Sequence, residues 1–117
     1  MDTPTKATEP RTGTGSPARP IVRVDIHGDM DIHHVPRWRA ALDEALAGAP
    51  ESAEVVVDLR NSSFCDSSGL NVLLAAAEKA RRTGRILRLA VPSHQMLRLL
   101  DITGATNLLP VGPALPD

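Results

Sequence analysis

The six residues EVVVDL, 54–59, constrain the fold more than any other stretch of the chain. Three consecutive valines are stiff at χ1 and favour extended backbone, and an apolar run without alternation suits a central strand covered on both faces. A central strand needs neighbours. The segment IVRVDIH, 21–27, provides one, because Ile21 or Val22, Val24 and Ile26 alternate with Arg23, Asp25 and His27 as in a strand with one wet face. RILRLAV, 85–91, reads as a third strand and LLPV, 108–111, as a short fourth.

Helical periodicity fills the gaps between these strands. From Val35 to Leu46 the apolar positions Val35, Trp38, Ala41, Leu42, Ala45 and Leu46 recur at helical spacing, with Pro36 tolerated in the first turn and Gly48 and Pro50 as the stop. After the 54–59 strand comes RNSSFCDSSG, and then Leu70, Leu73, Leu74 and Ala77 mark a second helix running to Gly84. Ser93 caps a third, HQMLRLLDIT, which Gly104 ends. Alternating strands and helices predict an α/β fold, a small mixed β-sheet of about four strands with three or more helices packed against it and right-handed crossovers between parallel neighbours. In such sheets, sites collect at the carboxyl ends of the strands.

Residues 1–19 hold no aliphatic side chain larger than Ala after Met1, so they cannot bury enough apolar surface to offset their ordering entropy and read as a disordered tail. The domain is expected over 20–112, with a flexible end at 113–117. One Trp, one Phe and no Tyr make its core aliphatic. A formal net charge of -1 provides no basic field for nucleic acid or an anionic membrane, which points to a protein or small-molecule partner. No run approaches the roughly 18 apolar residues of a membrane span, and the polar start lacks the apolar stretch of a signal peptide. The single cysteine, Cys65, has no internal partner and suits a reducing compartment, so the expected location is the cytoplasm.

The polar knot CDSSG, 65–69, sits at the amino end of the second helix and at the carboxyl side of the strongest strand. Three readings compete: a helix cap, a catalytic serine, or a serine that another enzyme modifies. Asp66 or Ser67 as N-cap would satisfy an orphan amide, worth about 0.5 to 2 kcal/mol. That accounts for one polar residue. A surplus hydroxyl followed by Gly69, which costs a helix about 1 kcal/mol relative to Ala, needs another reason, such as close approach of a second backbone or surface. A hydrolase elbow would place glycines two residues before and after its serine; Cys65 stands where the first is needed for Ser67, and Ser68 has no glycine two residues on. His27, His33, His34 and His94 show no interpretable spacing to either serine, so no enzyme activity and no cofactor are expected. Adjacent His33 and His34 would diverge by about 100° on a helix and share no metal face, so no metal site is expected. Arg81, Arg82, Arg85 and Arg88 read as a wet helix end and strand face, and Cys65 as a small buried thiol.

The stretch VVVDLRNSSFCDSSGLNVLLAAAEKARRTG resembles the signature of STAS domains, specifically of the bacterial anti-sigma factor antagonists, in which an aspartate, two hydroxyl residues, Gly and Leu open the second helix. HGDMDIHHVPRWRAAL is similar to the family's Gly, acid, x, Asp segment before its first helix, and MLRLLDITGATNLLPV to its closing helix and strand. Three segments in the right order, over roughly 21–111, carry the resemblance. It implies phosphorylation of the serine directly after the aspartate, here Ser67, by an anti-sigma factor with serine kinase activity. The unphosphorylated form would bind that partner and free the sigma factor, and a phosphatase would reset the switch. Asp66, Ser68 and Gly69, with Asp29 and Asp31 from the neighbouring loop, would line the contact surface. A STAS adaptor that is not phosphorylated, as in a lipid-transport or stress-sensing assembly, is the alternative. The family usually has a further strand before Ile21, where this chain is rich in Pro, Gly, Ser and Thr. A missing strand would leave a sheet edge through which a weak homodimer can form.

Overall fold

The computed structural model describes residues 19–116. Four strands and three helices alternate: β1 (Ile21–His27), α1 (Val35–Gly48), β2 (Glu54–Asn61), α2 (Ser67–Arg82), β3 (Ile86–Ala90), α3 (His94–Thr103) and β4 (Val111–Gly112), with a 3₁₀ turn at Ala105–Asn107 before the last strand. The sheet order is β1-β2-β3-β4, and all three pairings are parallel. The α/β fold with four strands and three helices is as predicted, and among the described residues every pairing of the sheet is parallel. Each strand-to-strand connection passes through a helix, and a helical crossover returns the chain to start the next strand in the same direction.

Sequential order combined with right-handed crossovers has a second effect, because every step moves the same way and puts all three helices on one face. Val24, Ile26, Val55, Val57, Leu59, Leu87 and Leu89 pack there against Trp38, Leu42, Leu46, Leu70, Leu73, Met96 and Leu100 in one aliphatic core. β2 is buried on both faces, as its unbroken apolar run predicts, yet its second face meets no helix. Val56 and Asp58, 0% and 1% exposed, turn to that side. Asp58 lies between Arg23 at 2.8 Å and Arg60 at 3.0 Å, while Arg88 holds Glu54 at 2.9 Å. Desolvation pushes the Asp58 carboxyl up, but the Arg60 amide and guanidinium and the Arg23 charge outweigh it and hold it below the usual range.

The same arginines reach the carboxyl-terminal segment. Arg88 donates to the Pro113 carbonyl at 2.7 Å, Arg60 to that of Leu115 at 2.7 Å, and Arg23 to that of Pro116. Residues 113–116 thus lie along the helix-free face, where guanidinium stems and backbone cover β2. The final strand sits later than LLPV predicts: Leu109 is fully buried as a core plug, and pairing starts at the Pro110 carbonyl, which accepts from Leu89 N at 2.9 Å. Residues 1–18, which include nearly all of the expected tail and any extra amino-terminal strand, lie outside the described residues. Among the described residues no helix is long and apolar enough to cross a membrane.

Candidate functional site

The carboxyl ends of β1 and β2 each run into a short irregular segment, and the two segments meet. Met30 forms a parallel bridge with Cys65: Met30 N donates to the Phe64 carbonyl at 2.9 Å, and Asp66 N to the Met30 carbonyl at 3.1 Å. Met30 and Cys65 point inward, 0% and 3% exposed, so the residues beside them form the outer rim. Two ties from helices fix this pair of segments. Trp38 of α1 donates its indole N–H to the Asp29 carbonyl at 3.0 Å. From α3, the Gln95 amide accepts from Cys65 N at 2.9 Å and donates to the Cys65 carbonyl at 2.7 Å, a two-point clasp on the backbone of one residue.

α2 begins directly after this clasp. Asp66 is its N-cap, and its carboxylate accepts from Gly69 N at 3.1 Å. The capping role that the sequence left open between Asp66 and Ser67 thus falls to the acid. Ser67, the first residue of the helix, is exposed, and its hydroxyl forms no hydrogen bond among the described residues. Ser68 is half-buried beside it. A nucleophilic serine needs a base within hydrogen-bond reach, and none bonds Ser67 here, whereas a hydroxyl that is solvent-facing and unbonded is open to a visiting enzyme.

Gly69, expected in the contact surface, lies behind the rim. It is buried, and a Cβ built on it would lie 2.2 Å from the Met30 carbonyl oxygen and 2.7 Å from Met30 Cβ. The close approach that the glycine permits is that of the 29–31 segment of its own chain, so it shapes the rim without reaching the surface. Asp29 and Asp31 do share the rim with Asp66, both half-exposed. The Asp31 carboxylate accepts from the amides of His33 and His34 at 3.1 and 3.2 Å and lies 2.6 Å from His34 Nδ1. Desolvation raises its pKa, and these bonds with the His34 charge outweigh that and lower it. Burial and the Asp66 charge push the Cys65 thiol up to about 12, which leaves it unreactive near neutral pH. Ile32 and Phe64, 64% and 43% exposed, add apolar surface beside the acids.

Sequence reasoning found the serine and the acids but missed the ties. Trp38 reads as core from its spacing, and its indole donor is a further role. Gln95 carries no signal at all, since its partner lies thirty residues away and is a backbone group.

The family model described as "Mlab, STAS domain" matches residues 18–110, most of the chain. The chain belongs to the STAS domain family. Among curated relatives, it is 29% identical over 90 residues to the anti-sigma-B factor antagonist of Bacillus subtilis, covering 77% of this chain and 80% of that protein. The STAS fold recurs in solved structures of the anti-sigma factor antagonist SpoIIAA. The unphosphorylated form aligns at TM-score 0.65 and 22% identity, covering 86% of this chain and 85% of that one. The phosphorylated form of SpoIIAA, the Bacillus cell fate determinant, aligns at TM-score 0.60 and 25% identity, covering 86% and 88%.

Proposed function

We propose that this STAS protein is an anti-sigma factor antagonist that binds an anti-sigma factor when Ser67 is free and lets go when Ser67 is phosphorylated. The observation that carries the reading is the exposed Ser67 hydroxyl, unbonded among the described residues, at the first position of a helix whose cap is already provided by Asp66. The named relatives support it, being anti-sigma factor antagonists, and one of them has a structure in a phosphorylated form. The partner is an anti-sigma factor with serine kinase activity, which transfers the γ-phosphoryl group of ATP to Ser67 Oγ and leaves ADP. A phosphatase hydrolyses the phosphoester with water, releasing inorganic phosphate and restoring the hydroxyl, and the cycle runs in the cytoplasm.

The charge arithmetic explains why binding, and not folding, responds. Phosphate brings about -1.5 to -2 charges and three acceptor oxygens. At a helix amino end the dipole and free amides favour an anion, by about 0.3 to 1 kcal/mol for an exposed charge, so the fold tolerates it. In a contact surface already holding Asp29, Asp31 and Asp66, the same charge meets like-charge repulsion and desolvation worth several kcal/mol. Moving a partner from about 99:1 bound to 1:99 takes about 5.5 kcal/mol, the order one buried phosphate supplies.

Incubation with the cognate anti-sigma kinase and ATP, followed by peptide mass spectrometry, tests the reading. The expected result is one phosphate on Ser67, absent in Ser67→Ala, with calorimetric binding retained by Ser67→Ala and lost by Ser67→Asp. Equal binding by wild type and Ser67→Asp, with no label on Ser67, overturns it in favour of a STAS adaptor that is not phosphorylated.

A further inference from the structure

We infer that β1 is a self-complementary edge through which two copies of this protein pair antiparallel about Val24, joining their sheets into one of eight strands. Among the described residues β1 is an outer strand, bonded on one side only, by β2. Direction along a strand alternates, and two bonds fix the phase: Glu54 N donates to the Pro20 carbonyl at 2.8 Å and Gly28 N to that of Asn61 at 3.0 Å. Even-numbered residues therefore face β2. Ile21, Arg23, Asp25 and His27 turn their N–H and C=O groups outward, where no group among the described residues meets them. The register irregularity near Asp25 and His27 lies in β2, which inserts one extra residue, so the outer edge of β1 stays regular over its seven residues.

An unpaired edge is a template for another strand unless side chains discourage it. Here they select one register. In an antiparallel pair the outward-facing residues must lie opposite one another, which leaves three symmetric arrangements that pair five residues or more. Centring on Arg23 sets that guanidinium against its own copy, and centring on Asp25 does the same to two carboxylates; like charges directly opposite are destabilising. Centring on Val24 avoids both. Arg23 then faces Asp25 of the second copy, twice, Ile21 faces His27, Val22 faces Ile26, and all seven residues pair.

The charges are in place for this exchange. Arg23 already bonds Asp25 of its own strand at 2.8 Å on the helix-free face and Asp58 at 2.8 Å, so an incoming carboxylate extends an existing network. Seven paired residues form an interface at the small end of the specific range, which makes the dimer weak and concentration-dependent. Strand directions oppose across the pair, so the two Ser67 rims sit at opposite ends of the joined sheet and both stay open. The inference therefore stands independently of phosphorylation.

Sedimentation velocity of the full chain over about 5 to 500 μM, a span suited to weak interfaces, is the first measurement. Wild type should shift from monomer to dimer. Asp25→Pro removes an outward-facing donor and the carboxylate that bonds Arg23 while leaving the ladder to β2 intact, Asp25→Arg sets like charges opposite, and each should weaken the dimer at least about tenfold, the scale of one cross-strand pair plus its ladder bonds. Circular dichroism checks that both fold; if the proline variant does not, Asp25→Arg and the cross-link below decide. The register is read by mixing Ile21→Cys with His27→Cys chains under mild oxidation. Opposed positions lie about 5.5 Å apart at Cα, within disulfide range, whereas identical positions are about 20 Å apart. The mixture should give a mixed disulfide and neither variant alone a homodisulfide, with buried Cys65 contributing little background. A wild type that stays monomeric throughout, a dimer indifferent to Asp25, or homodisulfides as abundant as mixed ones would overturn the inference.

Discussion

The starts of α2 and α3 use the same residue type for opposite ends. Each helix follows a parallel strand at the same rim of the sheet, and each has a serine within its first positions. At α3, Ser93 is the N-cap and its hydroxyl accepts from Met96 N at 3.0 Å, so the oxygen belongs to the fold. At α2 the cap is Asp66, and the Ser67 oxygen just after it bonds nothing among the described residues. An acid in the capping position therefore frees a hydroxyl. The two starts are also linked: Gln95, in the first turn of α3, clasps the peptide that precedes Asp66. The structural serine's helix holds the spare serine's helix in place.

The comparison breaks most visibly if the rim of α2 is not as rigid as that of α3. Gly69→Ala is the strongest probe, because its methyl would meet the Met30 carbonyl at 2.2 Å, and backbone, not a flexible side chain, would have to move. Overpacking of this kind costs about 2 to 3 kcal/mol, roughly 10 to 20 °C in Tm for a domain this size. Thermal melts should show that loss, and an unchanged Tm would mean the 29–31 segment is free to lift. Gln95→Ala comes next, since it leaves the Cys65 N–H and C=O without their partner: about 1 to 2 kcal/mol by urea denaturation, with faster amide exchange at Cys65. Asp66→Ala and Ser93→Ala should then be matched, each costing about 1 kcal/mol as lost caps. A Ser93→Ala variant that also lost partner binding would blur the distinction between the two starts.

Much of this was legible in the chain because two periods carry it. The valine run of β2, the alternation of β1 and the helical spacing of α1 and α2 each state one buried face, and the order of elements follows. The rim acids and Ser67 were legible through motif resemblance, and the need for Gly69 through its cost to a helix. What stayed hidden is carried by backbone. The carbonyls of 113–116 that Arg23, Arg60 and Arg88 hold, the Cys65 peptide that Gln95 clasps and the Met30 carbonyl under Gly69 have no residue-type signature. The parallel sheet was hidden for a different reason, since periodicity gives strands and faces but not direction. Only the absence of a tight hairpin between strands of the described chain argues for it, and that follows from the helical connections.

The smallest expected effect is the most telling. Ser67→Ala removes an oxygen that caps nothing, bonds nothing among the described residues and faces solvent, so none of the mechanisms behind large stability losses applies. Its midpoint in urea should match wild type within about 0.5 kcal/mol, while Ser93→Ala, the same deletion of the same oxygen at the neighbouring helix, should not. Ser67→Asp should be equally well folded, because a carboxylate in the first turn of a helix is favourable. A loss of about 1 kcal/mol in Ser67→Ala would show that the hydroxyl shares the capping with Asp66, and a shared cap is a poor switch, since phosphorylation would then disturb the helix it sits on. Stability data alone, with no kinase in hand, thus separate a serine that caps its helix from one that does not.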